Sequence, residues 1–137
     1  VETRRAREAL QGTYLLSDVV HQSSHLAQLI TGCFNKDWDL IRSGLSDVVV
    51  APRRAPLIPG FHRVLQAAMD VDALGGSISG AGPSVFAWFR GQSAAQRGAI
   101  TMQRAFHDAG WSSQSYVSPV AGPAAWVESQ SSQEVAS

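Results

Sequence analysis

Residues Gly75-Gly76-Ser77-Ile78-Ser79-Gly80-Ala81-Gly82-Pro83-Ser84 constrain this chain most, because four glycines in ten positions stand between an apolar helical pattern and an aromatic apolar run. Glycine tolerates positive φ and lets main-chain N–H groups approach a ligand closely, so such a segment either turns the chain tightly or cradles an anion. It lacks the Gly-Lys-Ser/Thr ending of a Walker A loop, and the chain's single lysine is Lys36. It also lacks the strand-then-helix setting of a dinucleotide fingerprint. A helix, a turn and then a buried strand at Ser84–Phe89 is the arrangement that the flanking residues predict.

The rest of the chain reads mainly as helix. Thr3 to Leu10 carries helix formers behind a hydroxyl residue, with Thr3 as the expected N-cap. Val19, Val20, Leu26, Leu29 and Ile30 fall on one helical face, with a break expected at Gly32. Lys36 to Asp47 repeats the pattern, and Val48-Val49-Val50 is open to strand. Three prolines between Pro52 and Pro59 predict a loop from Ala51 to Gly60. Phe61 starts a helix that should end near Gly75-Gly76, and Ser93 to Asp108 is a further helix closed by Gly110. Ser112–Val120 and Ala124–Val127 suit two strands, and Glu128 to Glu134 reads as a polar tail. With 137 residues and no repeat, one core is expected, in an α+β sandwich whose antiparallel sheet carries helices on one face.

Composition narrows the partners. Eleven basic residues balance eleven acidic ones, which argues against a nucleic-acid surface. No apolar run reaches the ~18 residues of a membrane span. Cys33 is the only cysteine and cannot form an internal disulfide, which suits a cytoplasmic setting. Ten of the eleven basic residues are arginine, the planar donor that matches carboxylates and phosphates. His21 and His25 are four apart on a helix, but the intervening Gln22-Ser23-Ser24 lacks the glutamate of a metalloprotease, so no metal site is assigned. Ser79 has no Gly-x-Ser-x-Gly elbow around it, which disfavours a hydrolase.

Three ordered blocks resemble one superfamily. Gly75 to Ser84 followed by an apolar strand is similar to the third signature motif of the galactokinase, homoserine kinase, mevalonate kinase and phosphomevalonate kinase (GHMP) superfamily. Asp47, then Ala51-Pro52-Arg53-Arg54, then Leu57-Ile58-Pro59-Gly60-Phe61, resembles the Glu-Pro-Tyr-Arg and Leu-Ile-Pro-Gly pattern of homoserine kinases. Thr3 to Arg7 resembles their Thr-x-x-x-Arg segment. Two positions depart from the pattern: Ala51 replaces the usual Glu, and Arg53 stands where an aromatic residue is more usual.

The resemblance implies a ferredoxin-like carboxyl-terminal domain over residues 1–127, with a disordered tail at 128–137. It implies a parent enzyme that transfers the γ-phosphoryl group of ATP, with Mg²⁺, to the hydroxyl of L-homoserine on the way to threonine. Arg54 would hold the substrate carboxylate, Thr3 and Arg7 would lie near its amino-acid group, and Ser79, Gly80, Ala81 and Gly82 would support phosphate and substrate. The family's main phosphate loop has no match in these residues, and the chain starts at Val1 without a Met, so a fragment lacking its ATP-binding domain, inactive alone, is expected. A cytoplasmic homodimer of the full-length protein is what the family implies. The alternatives are a non-catalytic small-molecule-binding or regulatory α+β module, and another small-molecule kinase of the same superfamily.

Overall fold

A computed structural model describes residues 2–122. Helix α1 (Thr3–Glu8) is capped by Glu2 rather than Thr3, which stands inside the first turn and makes no capping bond. The long helix α2 (Leu16–Asn35) runs through Gly32 and ends where Lys36 turns left-handed at φ 56°. Gly32 continues the helix because α3 (Trp38–Gly44) crosses close to it: a Cβ there would lie 2.7 Å from the Ile41 nitrogen. The position was read as a break, but it is a contact. Asp37 starts α3 by accepting the Asp39 and Leu40 amides, both at 3.0 Å. His25 contacts the Ser46 carbonyl through Nδ1 at 3.1 Å, a tie from α2 to the segment after α3.

The expected loop at Ala51–Gly60 is instead helix α4 (Ala51–Arg54) followed by a 3₁₀ turn (Ala55–Leu57). Pro52 sits in the first turn of α4, where a helix does not need its missing N–H. Val48–Val50 form bends rather than a strand. The Asp47 carboxylate pins them, accepting Val49 N at 3.0 Å and Val50 N at 2.7 Å on Oδ1, and Ala51 N at 3.0 Å on Oδ2. Gln22 of α2 accepts Val48 N at 2.9 Å.

Helix α5 (Phe61–Met69) leads through a turn to β1 (Gly75–Ile78), which pairs antiparallel with β2 (Val85–Trp88); α6 (Gln92–Asp108) follows. The first two glycines of the Gly-rich segment, expected to stop a helix, are therefore sheet residues. Their missing Cβ atoms explain them, since one on Gly75 would lie 2.6 Å from Leu45 Cβ and one on Gly76 would lie 2.2 Å from the Phe86 carbonyl oxygen. Only Ser79 to Ser84 remain as the connecting loop.

The register Gly75–Trp88 to Ile78–Val85 puts alternate side chains into two cores. Ile78 and Val85 pack with Ala51, Ala55, Ile58 and Phe61, together with Leu65 of α5 and Phe106 of α6. Phe86 and Trp88 pack with Ile41, Leu45, Leu74 and Leu29. The chain is thus α+β, with an antiparallel sheet layered by helices as expected, and the α2–α3 hairpin covers the second face as well. Of the apolar residues read on α2, only Leu29 joins a core. Leu16, Val20 and Phe34 are 78%, 57% and 83% exposed, leaving an open apolar stripe along the helix. Ser112–Val120 forms no strand and joins no ladder among the described residues; Gln103 Nε2 of α6 holds it by donating to the Ser113 carbonyl at 2.8 Å. Ala124–Val127 and the polar tail lie outside the described residues.

Candidate active site

Arg54 stands at the end of α4, held in place by the chain of bonds that begins at Asp47. Its Nε donates to the Ala6 carbonyl of α1 at 3.0 Å, and its Nη1 donates to the Gly80 carbonyl at 2.8 Å. One guanidinium therefore joins the three sequence blocks: α1 with Thr3 and Arg7, α4, and the glycine loop. Two of its five N–H groups are used in this way, which leaves N–H groups on both Nη1 and Nη2, a pair of nitrogens, without a further acceptor among the described residues. A planar carboxylate is the ligand that fits such a pair.

The loop is shaped by its own backbone. Ser79 N donates to the Ser84 carbonyl at 2.8 Å, and Gly82 N donates to the Ser79 carbonyl at 3.0 Å. Gly80 and Gly82 hold φ of 58° and 79°, conformations that favour glycine. The amides of Gly80 and Ala81 donate to no protein acceptor among the described residues and remain open to an anion. A Cβ on Gly80 would meet nothing within 4 Å, whereas one on Gly82 would lie 2.8 Å from Ile58 Cδ1. Gly80 thus faces open space, while Gly82 is packed against the core.

Thr3 and Arg7 lie one helical turn apart on α1, and both are exposed. Neither side chain makes a hydrogen bond or ion pair among the described residues. The structure brings their helix to Arg54 through the Ala6 backbone. Sequence reasoning missed two contributors. Asp47 was read only as part of a motif, yet it sets the start of the helix that carries Arg54. Arg53, marked in the sequence only as a departure from the family pattern, donates to the Gln11 and Thr13 carbonyls at 2.9 and 2.7 Å, and its guanidinium lies 3.9 Å from the Tyr14 ring centroid. No local signal could have found those contacts, which span about forty residues of sequence.

Two surface depressions lie away from Arg54: one of about 200 Å³ beside Arg5 and Leu57, the other an open one of about 630 Å³ between Pro59 and Asp108. No group of three His, Cys, Asp or Glu residues is placed to hold a metal among the described residues.

Residues 29–108, which include Arg53, Arg54 and the whole glycine loop, match the family model described as GHMP kinases C terminal. The chain belongs to that family. It is 57% identical over 125 residues to the homoserine kinase of Xanthomonas campestris pv. campestris, covering 91% of this chain and 39% of that enzyme. To the homoserine kinase of Xylella fastidiosa (strain M12) it is 54% identical with the same coverage, and to that of Chlorobaculum tepidum it is 43% identical over 134 residues, covering 96% of this chain and 41% of the enzyme. The crystal structure of homoserine kinase from Cytophaga hutchinsonii superposes with a TM-score of 0.77 at 42% identity, over 79% of this chain and 34% of that one. This GHMP kinase chain spans about two fifths of the length of the curated relatives it matches.

Proposed function

We propose that this chain is the substrate-side part of a homoserine kinase, an enzyme that phosphorylates the hydroxyl of L-homoserine at the expense of ATP. The observation that carries the reading is the double tie of Arg54 to the Ala6 and Gly80 carbonyls, which draws all three motif blocks to one guanidinium. Arg54 receives the substrate carboxylate on its remaining N–H pair. Thr3 and Arg7, on the helix that Arg54 holds, face the amino-acid end. Gly80 and Ala81 support the phosphate and the substrate through open amides, in a loop that the bonded Ser79 and Gly82 amides close.

Phosphoryl transfer depends mainly on positioning and charge neutralisation, and these residues supply the positioning of the acceptor. ATP contributes the transferred group, and Mg²⁺ neutralises its charge when bound. The described residues offer loop amides to a phosphate, and both ATP and the ion are assigned mainly to the remaining polypeptide of the parent enzyme. This chain alone is expected to be inactive. The parent is expected to be a cytoplasmic homodimer.

The test is a phosphotransfer assay of the complete enzyme against homoserine, mevalonate and galactose. Homoserine should be preferred. Arg54→Ala should raise its KM by about 10- to 100-fold, the loss of a charge-assisted pair. Preference for mevalonate or a sugar would overturn the substrate assignment, and an unchanged homoserine KM in Arg54→Ala would overturn the role of Arg54.

A further inference from the structure

We infer that Arg53 is a positioning residue for homoserine, acting through α1 rather than by touching the substrate. The inference rests on the reading that Thr3 and Arg7 face the substrate, and extends it to what holds them there.

Helix α1 is six residues long, has no side-chain N-cap bond, and buries only Ala6. A helix this short does not hold itself together in water, so contacts with the rest of the protein must fix its place. Among the described residues, the hydrogen bonds that tie residues 3–15 to α4 come from two consecutive arginines. Arg54 holds the helix itself at the Ala6 carbonyl. Arg53 holds the connection to α2: Nη1 donates to Gln11 O at 2.9 Å, and Nη2 donates to Thr13 O at 2.7 Å. Its guanidinium carbon lies 3.9 Å from the centroid of the Tyr14 ring, within cation–π range. The Tyr14 hydroxyl in turn donates to the carbonyl of Leu10, two residues past the end of α1. A fork with two separated ends and a stacking face is needed to hold this segment, and only arginine supplies both.

The geometry has a directional consequence. Arg54 alone fixes one point on α1, and a rod fixed at one point can still pivot. Arg53 fixes the far end of the segment, which sets the orientation of the face bearing Thr3 and Arg7 relative to Arg54. Loss of Arg53 should therefore weaken homoserine binding while leaving ATP binding and the phosphoryl step less affected.

Two measurements test this. In the 137-residue chain, hydrogen exchange of the Ala6, Ala9, Leu10 and Gln11 amides should accelerate in Arg53→Ala while amides in α5 and α6 keep their protection. In the complete enzyme, Arg53→Ala should raise the homoserine KM by about tenfold, with kcat and the ATP KM within about twofold. Arg53→Lys, which keeps the charge but loses the fork, should fall between wild type and Arg53→Ala. Tyr14→Phe, which keeps the ring, should stay near wild type. Unchanged exchange in Arg53→Ala overturns the clamp. Faster exchange with an unchanged homoserine KM overturns the positioning role. Should Arg53→Ala fail to fold, Arg53→Lys carries both measurements with the same criteria. Failure of the underlying function shows separately, as absence of homoserine phosphorylation by the unmodified enzyme.

Discussion

Replacing Asp47 tests whether the site is built from the start of α4. Its carboxylate accepts three consecutive amides, Val49 and Val50 on Oδ1 and Ala51 on Oδ2, at 2.7 to 3.0 Å. Loss of a helix cap costs about 0.5–2 kcal/mol, and with three donors released at a half-buried position Asp47→Ala should fall near the top of that range, about 2 kcal/mol. For a chain of this size that corresponds to a drop of about 6 °C in the melting midpoint. Asp47→Asn keeps an oxygen for Val49 and Val50 but turns an amide N–H₂ toward the Ala51 donor, so it should cost about half as much. Thermal denaturation of the purified chain followed by circular dichroism reads both values. Hydrogen exchange at Val50 to Arg54 should accelerate in the same order, Ala more than Asn. If Asp47→Ala melts within about 0.5 kcal/mol of wild type, or if Asn is as damaging as Ala, the carboxylate does not organise α4.

Three further substitutions check the packing that positions these elements. A Cβ on Gly44 would lie 2.4 Å from Leu29 N and 2.6 Å from Leu29 Cα, backbone atoms that cannot step aside. Gly44→Ala should therefore destabilise the chain by about 1–3 kcal/mol in urea unfolding, despite alanine's better helix propensity. Ile41, 5% exposed, and Leu16, 78% exposed, should separate cleanly: Ile41→Ala costs about 2–5 kcal/mol in the same assay, and Leu16→Ala less than about 0.5 kcal/mol.

The helices were legible where a periodic apolar face coincided with a core. The helix expected from Phe61 buries Phe61, Val64 and Ala68 of α5 while leaving Met69 exposed, and α6 spans nearly the residues expected. Helix α4 was hidden because its proline signals a loop in most contexts, while its place in the first turn removes the objection. Strand β1 was hidden for a related reason: Gly75 and Gly76 read as punctuation, although they are glycines because Leu45 and the Phe86 backbone approach too closely for a side chain. The apolar spacing of α2 identified a helix correctly but carried no information on what covers it, since periodicity specifies a face and not its partner.

The site shows the same division between local and distant information. Asp47, Arg54 and the glycines could be picked out because motif resemblance marked them, and the connection from Asp47 to α4 is local enough to reconstruct from capping rules. The convergence of Ala6, Arg54 and Gly80 depends on contacts 26 and 48 residues apart in sequence, which no window of neighbouring residues contains. Arg53 is the sharpest case. As a departure from the family pattern it looked like a loss, an aromatic position given over to a charge. In the folded chain, that charge lies over an aromatic ring supplied from elsewhere, Tyr14, and adds two hydrogen bonds that an aromatic side chain could not make. A residue that breaks a motif can thus tie the same segment through different chemistry, and the substitution becomes intelligible only when its distant partner is known.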